Sequence, residues 1–213
     1  MRMRPTLALV LVLSAGCFLR ASDPPRFFRP ESAAIDGPSV VAPEAPASGG
    51  VAVRLRSVEA GPFLRERIVW RTSAYEYGLY EQRRWRELPA AYVERALGTA
   101  LLSTPGVRLS DDVHAATLRA EVVAFDEVLA PAHVASVAVA VAMHDGPRRL
   151  LDHTFSSDVP IADDDPVSMA RAMGRALDDV ASQVAHAIVA AAAPAVTAKR
   201  APHAADSHRR RRR

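Results

Sequence analysis

Apolar positions recur with two periods along residues 51–194, and the switches between them mark out the elements. Val51, Val53 and Leu55 alternate with Ala52, Arg54 and Arg56, the period of a half-buried strand. Gly61-Pro62 signals a turn, and Arg67-Ile68-Val69-Trp70-Arg71 reads as a second strand. After a break at Thr72-Ser73, Tyr75 to Tyr80 reads as a third. Pro89 sits where a helix tolerates proline best, at its first position. Val93, Leu97, Ala100 and Leu101 then share one helical face, and Pro105-Gly106 stops the helix.

Three longer strands follow. Leu118, Ala120, Val122 and Ala124 alternate with Arg119 and Glu121. Val137, Val139, Val141 and Met143 take one face, and Ala138, Ala140 and Ala142 the other. The uncharged 16-residue run from Val128 to Met143 is too short for a membrane helix, holds Pro131 and His133, and has period two. Asp145-Gly146 signals a hairpin into Leu150–Ser156. Asp163-Asp164-Asp165-Pro166 is a helix start, with capping carboxylates at the positive dipole end and proline at the first position. Val167, Ala170, Met173, Leu177, Val180, Val184 and Ile188 follow at three- and four-residue spacing, and the helix is expected to run to about Ala193, before Pro194. The order β-β-(β)-α-β-β-β-α, with short turns between consecutive strands, predicts an α+β fold. An antiparallel β-sheet carries two main helices packed on one face.

The ends read differently. Arg2 and Arg4 precede an apolar run from Leu7 to Leu13, then Ser14-Ala15-Gly16-Cys17, the three regions of an export signal over residues 1–16. The small residues stop at the single cysteine, which resembles a bacterial lipobox; Ser14 stands where a larger aliphatic residue is usual. Cys17 is the expected lipidation site, a thiol that carries acyl chains and tethers the chain to a membrane without spanning it. Phe18 in place of aspartate after that cysteine resembles the sorting pattern for the outer membrane. Residues 17–50 read as a tether, with Pro24, Pro25, Pro30, Pro38, Pro43 and Pro46 before Ser48-Gly49-Gly50. Residues 195–213 read as a disordered tail whose five terminal arginines suit an anionic surface.

Composition narrows the function classes. The 213 residues are 49% hydrophobic and 24% charged, enough for one packed domain and against a disordered or fibrous chain. The single cysteine excludes an internal disulfide framework and a multi-thiolate zinc site. The formal charge of +3 comes from the ends. Between 17 and 198, 18 basic residues face 23 acidic ones, so the basic isoelectric point does not point to nucleic acid as a partner.

Motifs for catalysis are missing. Neither GxxxxGK nor GxGxxG is present, nor HExxH, nor CxxC, so no cofactor and no metal is expected. His153 beside Asp152, with Ser156 and Ser157 near, is the best local nucleophile set, but strand neighbours point to opposite faces. Asp163–Asp165 could ligate a hard cation, yet helix capping accounts for them with less assumed. His144-Asp145 falls at a turn and His186 on the polar side of the last helix. The reading is a protein that is not an enzyme.

One stretch stands out. Five of the twelve aromatics lie between Trp70 and Trp85, interleaved with arginines. Trp70, Arg71, Tyr75, Tyr77, Tyr80, Arg84 and Trp85 are therefore the candidate partner-binding residues, since aromatics and arginine dominate interface hot spots. Core anchoring by the two tryptophans is the plainer alternative.

The whole pattern resembles the ABC-type transport auxiliary lipoproteins, the PqiC-like family. The residues that carry the resemblance are the lipobox, the Pro-rich spacer, Val51–Val58, Pro62-Phe63-Leu64, Ile68-Val69-Trp70-Arg71, Tyr77 to Glu81, Arg84-Trp85 and the helix Tyr92–Leu102. It covers about 50–190; Glu87-Leu88-Pro89 and the arginine tail depart from it. The resemblance implies an accessory lipoprotein at the outer membrane, facing the periplasm, that binds an MCE-domain subunit of a lipid transporter. Self-association as a homo-oligomer is left open. The rival reading is a stand-alone periplasmic lipid- or ligand-binding lipoprotein, with a pocket between Val137, Val139, Val141 and the last helix.

Overall fold

The computed structural model describes residues 23–37 and 50–200. The export signal, Cys17 and the terminal arginines lie outside the described residues.

One strand organises the molecule. β7 (Ala116–Val128) pairs along one edge with β8 (Val134–Asp145), antiparallel, and β8 pairs in turn with β9 (Arg148–Pro160). The predicted hairpin turn at Asp145-Gly146 joins the last two. The other edge of β7 is shared by three short strands laid end to end. β2 (Val51–Leu55) meets it at Ala116–Leu118, β3 (Glu59–Ala60) at Glu121–Val122, and β4 (Arg67–Arg71) at Asp126–Val128, all three parallel to it. β5 (Tyr77–Trp85) folds back antiparallel on β4. β6 (Val107–Leu109) adds parallel to β2.

The fold is α+β, as expected, with an open sheet. The sheet is mixed, which corrects the expected all-antiparallel pairing. Parallel pairs join strands far apart in sequence, β2 with β6 and β7, and for β4 the reason lies at Gly61-Pro62. The segment 61–66 does not reverse the chain; it loops outward, and β4 resumes the direction of β2 and β3. A turn signal fixes where a strand stops, not which way the chain leaves.

Both long helices cover one face of the sheet. α2 (Pro89–Ser103) starts at Pro89 and stops before Pro105, as predicted. α3 (Pro166–Arg200) turns Ala170, Met173, Leu177, Val180, Val184 and Ile188 inward. Two details differ. Val167 is 40% exposed, and the buried stripe of the helix starts at Met169. The helix also passes Pro194 to Arg200, within the stretch expected to be disordered; four alanines, the best helix formers, precede that proline.

The folded unit begins before Val51. Within the expected tether, β1 (Arg26–Phe28) pairs parallel with Arg83–Trp85 of β5. A four-residue helix follows, α1 (Ala33–Asp36). Glu31 N–H donates to the Ala170 carbonyl at 3.3 Å. Asp178 of α3 caps α1: it accepts from the Ser32 hydroxyl at 2.5 Å and from the N–H groups of Ala33 and Ala34 at 2.8 and 3.3 Å. Phe28 is buried. Residues 26–36 thus form a strap across α3, and the strap crosses at Gly174. A Cβ there would lie well under 3.0 Å from the Glu31 backbone, so only glycine admits it.

Candidate functional site

Strand pairing divides the Trp70–Trp85 segment between the two faces of the sheet. Ile68, Phe125 and Val137 face the helices and are fully buried. Val69, Arg71, Tyr77 and Leu79, directly paired as Val69 with Leu79 and Arg71 with Tyr77, take the opposite, outer face. Asp126, next to Phe125 on β7, joins them there.

Three elements enclose a groove of about 740 Å³ on this outer face. The outward loop 61–66 supplies Phe63 and Leu64, the β4–β5 hairpin Tyr75, Tyr77 and Leu79, and β7 supplies Val123. Phe63, Tyr75, Tyr77 and Val123 are 75%, 96%, 56% and 56% exposed, an unusual grouping of apolar surface. The hairpin tip is held by polar contacts: the Ser73 hydroxyl accepts from the N–H groups of Tyr75 and Glu76 at 3.2 and 3.1 Å, and the Thr72 hydroxyl donates to Glu76.

A buried carboxylate lines the groove. Asp126 is 3% exposed and accepts from the Phe125 N–H at 3.2 Å. Arg71 Nε lies 3.5 Å from its other oxygen without a well-directed hydrogen bond, while Arg71 Nη2 donates to the Ser136 hydroxyl at 3.3 Å. Burial pushes the Asp126 carboxyl above its ordinary value, against the opposing pull of the Phe125 N–H and Arg71. The site is therefore an apolar trough with a buried acid in its lining.

The seven candidate residues do not form one surface. Arg71, Tyr75 and Tyr77 border or support the groove. Trp85 is 1% exposed and sits in the core, edge-on to Phe125 and Tyr92 at 5.2 and 6.3 Å. Trp70 is half-buried on the helix-facing side, its ring lying over Gly78, where a Cβ would come within 3.0 Å of it. Tyr80 stacks under the Arg83 guanidinium at 4.2 Å; burial first, then the buried Glu127 carboxylate, push its phenol up to about 12. Glu127 also meets Arg83 at 3.4 Å and His133 Nε2 at 2.8 Å. Arg84 faces Glu66 at 3.7 Å.

The residues with chemical interest elsewhere have structural partners. Asp152 accepts from Arg149, His153 packs edge-on against Phe155, and Ser157 donates to Asp179 at 3.0 Å. The Asp165 side chain accepts from the Val167 N–H at 3.1 Å, the capping role expected there, and Asp163 accepts from the Asp165 N–H at 2.9 Å in the turn before the helix. Among the described residues no helix is long and apolar enough to cross a membrane.

Phe63, Leu64, Val123 and Asp126 were not among the candidates. The available signal was Val122-Val123, two adjacent apolar residues that break the alternation of β7. A bulge lies between Val122 and Ala124, and it turns Val123 outward.

Comparison with known proteins agrees with this architecture. A crystal structure of a DUF330-family protein from Xanthomonas campestris superposes with a TM-score of 0.66 at 17% identity, covering 81% of this chain and 99% of that one. A second, of an uncharacterized protein, superposes at 0.60 with 14% identity, covering 78% and 99%. These likenesses speak to the fold. No curated protein matches the sequence. The family model for the ABC-type transport auxiliary lipoprotein component matches residues 35–185, from α1 through most of α3, and the chain belongs to that family.

Proposed function

We propose that this protein is a membrane-anchored accessory subunit of an ABC/MCE-type lipid transporter, and that the outer-face groove binds the periplasmic MCE-domain subunit. Cys17 carries the acyl anchor and holds the domain at the outer membrane. The helices occupy one face of the sheet, and the groove lies on the other. The observation that carries the reading is that groove, in a chain of the auxiliary lipoprotein family. Phe63, Tyr75, Tyr77 and Val123 give it the aromatic and aliphatic surface of an interface centre. The test is crosslinked pull-down of the tagged full-length protein from cell envelopes, with mass spectrometry. Wild type is expected to recover an MCE-domain protein, and Phe63→Asp with Tyr75→Asp to lose it while keeping the far-ultraviolet circular dichroism of the fold. A wild-type pull-down without any transporter component sinks the reading; recovery that survives both substitutions sinks the groove as the interface.

A further inference from the structure

The outer face holds a second concave region at the other end of β7, with the opposite character. Arg54 of β2, Thr117 of β7 and His144 of β8 lie in one cross-strand row, since Arg54 pairs with Thr117 and Thr117 with His144. Arg119 stands two residues on along β7, on the same face. Arg56 follows β2, its backbone N–H bound to the Leu118 carbonyl at 2.9 Å. Together with His114 these residues line a cleft of about 730 Å³.

The arginines of this cleft, Arg54, Arg56 and Arg119, form no ion pair among the described residues. Carboxylates are close by: Asp145 lines the cleft, and Glu59, Glu121 and Asp152 line a smaller depression that shares Arg56 and Arg119. Asp152 is committed to Arg149. Like charges on neighbouring positions of one sheet face are destabilising. Three guanidinium groups without an ion pair nevertheless lie close together here. Arg54 is also oriented. Its Nη2 donates to the Thr117 hydroxyl at 3.1 Å, while its Nε is buried and unpartnered.

We infer that this cleft binds a phosphate-type oxyanion borne on a small polar group. Arginine forks match phosphate geometry, and the cleft has the size of a small-molecule site. The anion has two sources with the same chemistry, a phospholipid headgroup or a soluble phosphoester. The inference does not depend on the transporter partner, which docks at the apolar end of the face.

The test uses the full-length protein in three forms: wild type, Arg56→Gln/Arg119→Gln and Arg54→Lys. Arg56 and Arg119 are exposed, so their loss leaves the fold intact, and the arginine tail is common to all three. Calorimetric titration with inorganic phosphate and glycerol phosphate reads the soluble source. Co-sedimentation with phosphatidylcholine vesicles, with and without one-third phosphatidylglycerol, reads the lipid source. The double variant is expected to bind the effective probe about 25-fold more weakly, roughly fivefold per arginine. Arg54→Lys keeps the charge and loses the fork, and is expected to weaken binding several-fold, which diffuse attraction would not do. Loss confined to the vesicle arm assigns a lipid headgroup, and loss in the soluble arm a free phosphoester. Equal binding by all three proteins in both arms overturns the inference, as does tight binding of polyglutamate with none of either phosphate probe.

Discussion

Gly174→Ala tests how the strap is held. In an isolated helix this change is favourable, by about 1 kcal/mol. Here the added methyl would overlap the Glu31 backbone at well under 3.0 Å, and backbone cannot swing aside as a side-chain tip can. The strap must lift off α3. Lifting breaks the Glu31–Ala170 hydrogen bond, the Asp178 cap on α1 and the Arg171–Glu31 ion pair at 3.0 Å, and uncovers Phe28. These contacts hold the strap alone and leave the sheet and the two long helices in place, so the substitution is expected to release the strap without unfolding the domain. Amide hydrogen exchange followed by mass spectrometry should show lost protection across 26–36, with protection in β7, β8 and β9 retained and the midpoint of global unfolding little changed. Full protection at residues 26–36 in Gly174→Ala would refute the strap's close approach to α3.

Other substitutions separate core from surface. Trp85→Ala is expected to cost about 3–5 kcal/mol in denaturant unfolding, because it empties the aromatic cluster, while Tyr75→Ala stays within about 0.5 kcal/mol; a comparable loss from both would contradict the burial described above. Gly78→Ala forces the Trp70 ring off its seat and is expected to cost about 1–3 kcal/mol, with a shifted near-ultraviolet tryptophan signal; an unchanged signal would remove that packing. The raised Asp126 value sets a pH dependence. The folded state holds the proton to higher pH than the unfolded state does, so this group's contribution is complete below about pH 4 and is lost as pH rises through the folded value. The stability of Asp126→Asn relative to wild type should therefore increase between pH 3 and 7, read by urea unfolding at each pH. A relative stability that falls over that range would mean that Arg71 outweighs desolvation.

The elements with strong periodicity could be read from the sequence. Val137, Val139, Val141 and Met143 are buried as a set, because period two leaves a strand with one covered face little choice. The start of α2 at Pro89 follows equally directly. What escaped reading depends on contacts between distant residues. Gly61-Pro62 has the composition of a turn whether the chain reverses or loops out, and only the alignment of β4 with Asp126–Val128 decides it. The strap lies in a proline-rich stretch that local rules assign to a tether; its one trace was Gly174, a glycine in a helix otherwise rich in alanine. Among the candidate residues, composition could mark the Trp70–Trp85 segment but not divide it. Which aromatic faces the helices and which the groove follows from the register of β4 against β5.

The end-to-end arrangement of β2, β3 and β4 along β7 has a consequence for the order of assembly. β7, β8 and β9 follow one another through short connections, whereas Val53 must find Ala116, 63 residues away. The late partners have the higher loop-closure cost, so the three-stranded meander should acquire protected amides first and residues 51–71 afterwards. Pulse-labelled exchange during refolding reads that order directly, and simultaneous protection of both would exclude it. Until residues 51–71 arrive, the 13-residue β7 offers an unpaired edge with alternating apolar positions, the template on which chains aggregate. The N-terminal half thus acts as an edge guard for the C-terminal half: substitutions that delay its docking should lower the yield of soluble protein even where they leave the finished fold unchanged.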